Sequence, residues 1–197
     1  HTGNIVIDRS VITNNTGVAV TGFTVGARGL QGGYITNGGS SIDLVVTGTP
    51  PATLVWKGDG SANAWDIQTS SNWLNGVTPD TFYNYDAVTF DDTATNLAVT
   101  IGATVTPGSW TVNSTNDYLI TDASAAVAGL ASLTKLGSGT LTISNTANTF
   151  TGPTIITGGK LRVPFIGVSG AASSLGAQAK AFTSHVLNGG VLEYTGA

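Results

Sequence analysis

The stretch Lys135–Val163 reads KLGSGTLTISNTANTFTGPTIITGGKLRV, and its reading decides the fold. Charge sits only at its ends, on Lys135, Lys160 and Arg162, and glycine punctuates it at Gly137, Gly139, Gly152, Gly158 and Gly159. Three short apolar runs lie between the glycines: Gly139–Ser144, Pro153–Thr157 and Lys160–Val163. Leu141 and Ile143 alternate with threonine, and Leu161 and Val163 flank Arg162. A period of two puts these four residues on one inward face of neighbouring strands. The glycines and asparagines between them are turn residues, since both accept positive φ at low cost.

The pattern recurs downstream. Asn188–Tyr194, NGGVLEY, echoes Thr157–Val163, TGGKLRV, at an offset of 31 residues. An internal period between about 20 and 50 residues marks a stacked architecture. Three thin strands cannot bury an apolar face alone, but stacked neighbours close a continuous core. The last strand of such a stack is an open edge, to be covered by a further layer.

Composition agrees. Charged residues are 9% of the 197, and glycine numbers 27; an ordinary domain carries about 25% charge. Gly, Thr, Ser and Asn are weak helix formers, whereas threonine packs well on a pleated face. The net charge is −4 with only seven Lys and Arg, too few to neutralise a phosphate backbone, which argues against nucleic acid as a partner. No apolar run reaches the roughly 20 residues of a membrane-spanning helix. Cysteine is absent, so neither disulfides nor thiolate metal sites are available. Methionine is absent too, and the chain is expected to be a processed product or a piece of a longer protein.

Three regions are expected. Residues 1–50 read as the β-strand end of a preceding unit, with candidate strands at Asn4–Asp8, Val18–Val25, Gly33–Thr36 and Ser41–Thr47. Thr47–Pro51, TGTPP, reads as a boundary, because consecutive prolines cannot donate to a ladder. Residues 51–128 read as an irregular spacer holding seven of the fifteen aromatics and six of the eleven acids before residue 93. Residues 129–197 carry the repeat. The Ala-rich run Asp122–Leu133 is read as a turn or strand rather than a helix.

Leu133–Val163 resembles the autotransporter-associated β-strand repeat, also called the passenger-associated transport repeat. The match is carried by Lys135, Gly137, Gly139–Thr142, Asn148, Thr149, Thr151, Gly152, Thr154, Gly158, Gly159, Leu161 and Val163. Phe150 stands where the family usually has tyrosine. Trp56, Trp65, Asn72–Trp73 and Asp86–Asp92 are similar to the spacer that often precedes such repeats. The resemblance implies a right-handed parallel β-helix (a solenoid) in the C-terminal half of an exported bacterial surface protein, and it brings no catalytic residues. Its partners would be neighbouring repeats of the same or like chains, and surface glycans.

Four sets of side chains are candidates for chemistry. Asp86, Asp91 and Asp92, with Asp59 and Asp66 near in sequence, could supply oxygens to a structural Ca²⁺, or could be solvated turn residues. Trp56, Trp65, Trp73, Tyr83 and Tyr85 could stack on sugar rings as a carbohydrate-binding module, or could form the core of the spacer. Asp86 with Asp91 or Asp92 could also be drawn as a glycosidase pair of a polysaccharide-active β-helix enzyme. Against this, the only glutamate is Glu193, and the two histidines, His1 and His185, lie far apart. A copper site using His1 lacks a matching context. Finally, Asn145, Asn148 and Asn188 could hydrogen-bond equivalent asparagines in neighbouring layers. The expected function is a non-catalytic, structural and adhesive β-solenoid stalk without a cofactor.

Overall fold

The computed structural model describes residues 18–20, 28–37, 42–122, 124–179 and 183–196. Two compact units divide the chain, residues 1–50 and 51–197. In the first, strands β1 (Val18–Val20), β2 (Arg28–Asn37) and β3 (Ile42–Thr49) form an antiparallel sheet in that order. The expected strand at Asn4–Asp8 lies outside the described residues. β2 is longer than the run read from the sequence, because the glycines before Tyr34 are accommodated by an irregularity between Arg28 and Gly32.

The second unit is all β. It contains β4 (Thr53–Trp56), β5 (Ala64–Trp65), β6 (Trp73–Asn75), β7 (Thr78–Asp80), β8 (Ala87–Asp91), β9 (Ala98–Ile101) and β10 (Ser109–Asn113). It continues with β11 (Tyr118–Asp122), β12 (Leu133–Leu136), β13 (Thr140–Ile143), β14 (Thr154–Ile156), β15 (Lys160–Val163), β16 (His185–Leu187) and β17 (Val191–Tyr194). From β8 onward the chain feeds two sheets alternately. One has the order β16-β14-β12-β10-β8-β4-β6-β7, the other β17-β15-β13-β11-β9-β5. β8 and β9 pair in parallel with β4 and β5, and each strand from β10 to β17 pairs in parallel with the strand two earlier in chain order.

The register explains the echo in the sequence. Lys160, Leu161, Arg162 and Val163 lie opposite Val191, Leu192, Glu193 and Tyr194, an offset of 31. The preceding layers are shorter: Trp110 lies opposite Leu133 and Leu133 opposite Thr154. Residues 164–184 account for the extra length.

Parallel pairing begins well before residue 129. Thr53–Val55 already lies beside Ala87–Thr89, so the aromatic segment belongs to the ladders instead of preceding them as an irregular spacer. The physical reason is the alternation in Leu54, Trp56, Val88 and Phe90, which is as regular as that of the repeat. Only its turns are irregular.

The core runs between the sheets. Leu54, Trp56, Trp65, Val88, Phe90, Val99, Ile101, Trp110, Val112, Tyr118, Ile120, Leu133, Leu141, Ile143, Ile156, Leu161 and Val163 are all buried. The inward positions of the first layers mix aromatic with aliphatic residues, and those of β13 and β15, with the inward Ile156 of β14, are aliphatic. The two ends differ as well. At the first, β6 and β7 form an antiparallel hairpin across Gly76–Val77, and the edge strand β7 carries Pro79. The other sheet ends there on β5, two residues long. Short edges and an edge proline discourage further strand pairing. At the far end β16 and β17 are uncovered, with Leu187 55%, Val191 53% and Tyr194 53% exposed.

Candidate functional site

Phe90 comes from β8, Trp56 and Trp65 from β4 and β5, Trp73 from β6, and Phe82 from the loop that follows β7. All five are fully buried. Trp56 and Trp73 face each other across the antiparallel pair, ring centroids 5.0 Å apart at 79°. Trp65 touches Trp73, Phe82, Phe90 and Trp110 at 5.5–5.8 Å. Edge-to-face contacts of this kind add about 0.5–1.5 kcal/mol each beyond area burial. The Trp56 indole donates to Asn96 O at 2.7 Å. Those of Trp65, Trp73 and Trp110 have no hydrogen-bond partner among the described residues.

This geometry corrects the sugar-stacking alternative. Trp56, Trp65 and Trp73 present no face to solvent. Of the aromatics proposed for it, Tyr83 is half-buried and Tyr85 is 50% exposed. Trp110, Tyr118 and Phe150, which sequence reasoning left out of the aromatic group, extend the same cluster downstream. For Trp110 and Tyr118 the available signal was the alternation of their own strands, SWTVN and YLITD.

The three candidate aspartates do not converge, and no group of three or more metal-ligating side chains forms among the described residues. Asp86 is buried and splices segments: its carboxylate accepts from Ala52 N at 2.7 Å and Tyr83 N at 2.9 Å. Asp91 accepts from Thr93 N and Oγ1 at 2.9 and 2.6 Å, within its own turn. Asp92 reaches the next layer, accepting from Ser114 Oγ at 2.5 Å, Thr115 N at 2.8 Å and Thr115 Oγ1 at 3.0 Å. Asp59 and Asp66 cap local turns through Ser61, Asn63 and Ser70.

The Ser114 hydroxyl, with the Thr115 and Asn116 donors behind it, holds the Asp92 carboxyl below its ordinary value of 3.8. The unfolded chain therefore takes up this proton first. The stability Asp92 contributes is fully present above the unfolded value and is lost as pH falls through the lower folded one. Urea midpoints measured between neutral pH and pH values below 3.8 should fall less steeply in Asp92→Asn than in the parent chain.

Lys135 takes an inward position of β12 and is fully buried. Its Nζ donates to the carbonyls of Leu136, Gly137 at 3.0 Å and Gly158 at 3.3 Å, so one ammonium joins the corners of two layers. Burial lowers its affinity for the proton, and Asp117 works the other way. The sequence marked Lys135 as a repeat position without a role; the structure makes it a buried cap. Lys135→Met is expected to cost about 2–4 kcal/mol, since three carbonyls lose their donor while a buried charge is relieved. Chemical denaturation reads this directly, and an unchanged midpoint would contradict the capping role.

The asparagines also work between layers, but on backbone partners and not on each other. Asn148 accepts from Val127 N at 2.9 Å and donates to Ser174 O at 3.2 Å, spanning both neighbours. Asn145 donates to Ala125 O at 2.6 Å. Asn188 is exposed, and His185 lies at the open edge. His1 lies outside the described residues. Ile166, Val168, Ser173, Gln178, Ser184 and His185, among others, line a cavity of about 480 Å³.

Comparison with known proteins matches residues 133–163 to the passenger-associated-transport-repeat. The chain carries an autotransporter passenger repeat. The matched span runs from β12 through β15, so it contributes two strands to each sheet. The adhesin BmaC autotransporter of Brucella suis biovar 1 (strain 1330) is 36% identical over 95 residues. That alignment covers 48% of this chain and 3% of the relative. No solved structure matches the chain. The repeat and this relative mark the chain as exported, at the cell surface or outside the cell.

Proposed function

We propose that residues 51–197 form a right-handed parallel β-solenoid serving as a non-catalytic, structural and adhesive stalk segment of a bacterial surface protein. The observation that carries this reading is the alternation of β8–β17 between two parallel sheets, with inward side chains buried from layer to layer. The passenger repeat lies inside that regular stack. The name of the Brucella relative, an adhesin, supports the surface role. The candidate aspartates support a structural function too, since Asp86, Asp91 and Asp92 are engaged in holding turns and layers together.

The mechanism is additive stacking. Each layer saturates the backbone edge of the one before it, and Lys135, Asn148 and Asp92 tie the corners. The uncovered β16–β17 end has the geometry to receive a further layer from the same or a like chain. At the opposite end the edge strand of the first sheet is β7, which carries Pro79.

Duplicating residues 133–163 in tandem tests the reading, because two stackable layers can be added without redesign. Amide hydrogen exchange should show the inserted strands protected to the degree of β12–β15. Inserted strands that exchange freely, or a chain that no longer folds, would count against a stalk built by stacking.

A further inference from the structure

We propose that Asn188 is a site of spontaneous deamidation, built into the turn between β16 and β17. The inference stands apart from the stalk reading and rests on one dipeptide and its surroundings. Asn188 and Gly189 are both exposed. The carboxamide of Asn188 has no hydrogen-bond partner among the described residues. The N–H groups of Asn188 and Gly190 both donate to Ile156 O, at 2.8 and 3.2 Å, and the intervening Gly189 N–H has no partner among the described residues. Gly189 has a φ of 104° and no side chain to shield its nitrogen.

These are the requirements of cyclisation. Gly189 N, on losing its proton, attacks Asn188 Cγ. The new C–N bond closes a five-membered succinimide as the side-chain nitrogen leaves as ammonia. Water then opens the ring at either carbonyl, giving aspartate or isoaspartate. The balance is asparagine and water in, acid and ammonia out, with no oxidation.

The other described Asn-Gly pair is an internal comparison. Asn75 lies in β6, and its Nδ2 donates to Asp80 Oδ2 at 3.2 Å, which holds the carboxamide against the hairpin. Asn188 has no such tether. Its turn also carries more consequence. It sets the register by which Glu193 meets Lys160 at 2.8 Å and Arg162 at 3.2 Å. Isoaspartate adds a backbone carbon at this point, so β17 would lose its alignment with β15.

The test incubates the folded chain at mildly alkaline pH and digests it at acidic pH, where cyclisation is slow. The peptide containing residue 188 is then followed by mass spectrometry and by isoaspartyl methyltransferase labelling. The expected result is conversion at Asn188 with isoaspartate in excess, faster than at Asn75. In the converted fraction, β17 amides should lose exchange protection. Asn188→Gln, which leaves the turn glycines in place, should abolish the conversion. Three results would overturn the proposal: conversion only when the chain is unfolded in urea, a rate at Asn75 equal to or above that at Asn188, or aspartate without isoaspartate.

Discussion

Trp65→Ala is expected to lower the unfolding free energy by about 3–5 kcal/mol. Trp65 is fully buried and packs against Trp73, Phe82, Phe90 and Trp110, which come from three other strands and a loop. It also forms half of the two-residue strand β5, which starts the second sheet. The four surrounding rings are large and rigid, and they cannot collapse into the space left behind. The cavity cost therefore adds to the lost burial. Urea unfolding followed by far-ultraviolet circular dichroism measures the change. If the alanine variant does not fold, Trp65→Phe provides the graded version, with a smaller loss in the same direction. A loss below about 1 kcal/mol, the centre of ordinary substitutions, would mean the rings are not a packed core.

Gly137→Ala is expected to cost about 2–5 kcal/mol. Two effects combine. The φ of Gly137 is 63°, a left-handed conformation that costs an alanine about 1–2 kcal/mol. In addition, a Cβ at Gly137 would collide with the carbonyl oxygen of Ser114 and stand 2.6 Å from Ser114 N. Both are backbone atoms of the layer beneath, so neither can rotate away. Gly76 separates the two effects. Its φ is also 63°, but a Cβ there meets nothing within 4 Å. Gly76→Ala should show the conformational cost alone, and the difference between the two variants isolates the layer contact. Equal losses at both positions would show that layers do not approach as closely as the structure has them.

Much of this architecture is legible in the chain itself. The alternation at Leu141 and Ile143 and at Leu161 and Val163 identifies strands with one buried face. The echo of TGGKLRV in NGGVLEY corresponds to the pairing of Lys160–Val163 with Val191–Tyr194. The extent of the ladders is less legible. The antiparallel hairpin and the long turns between β4 and β8 interrupt the spacing that makes a repeat visible, although Leu54, Trp56, Val88 and Phe90 keep the alternation.

The candidate sites divide along the same line. Residue type proposed Trp56, Trp65 and Trp73 as a sugar platform and Asp86, Asp91 and Asp92 as ion ligands. A tryptophan that stacks on a sugar and one that fills a core look alike in sequence. The difference lies in whether another layer covers the ring. Likewise, a carboxylate's role depends on which donors the fold brings to it, and for Asp92 these lie more than twenty residues away.

By itself, then, the sequence determined the strand class, the inward residues of the repeat and the existence of stacking, because these follow from local periodicity. Only the tertiary structure decided that Lys135 is a buried cap, that the tryptophans are interior and that Asp92 joins two layers. Those properties depend on what lies one layer above or below, and that neighbour is set by the register between distant segments.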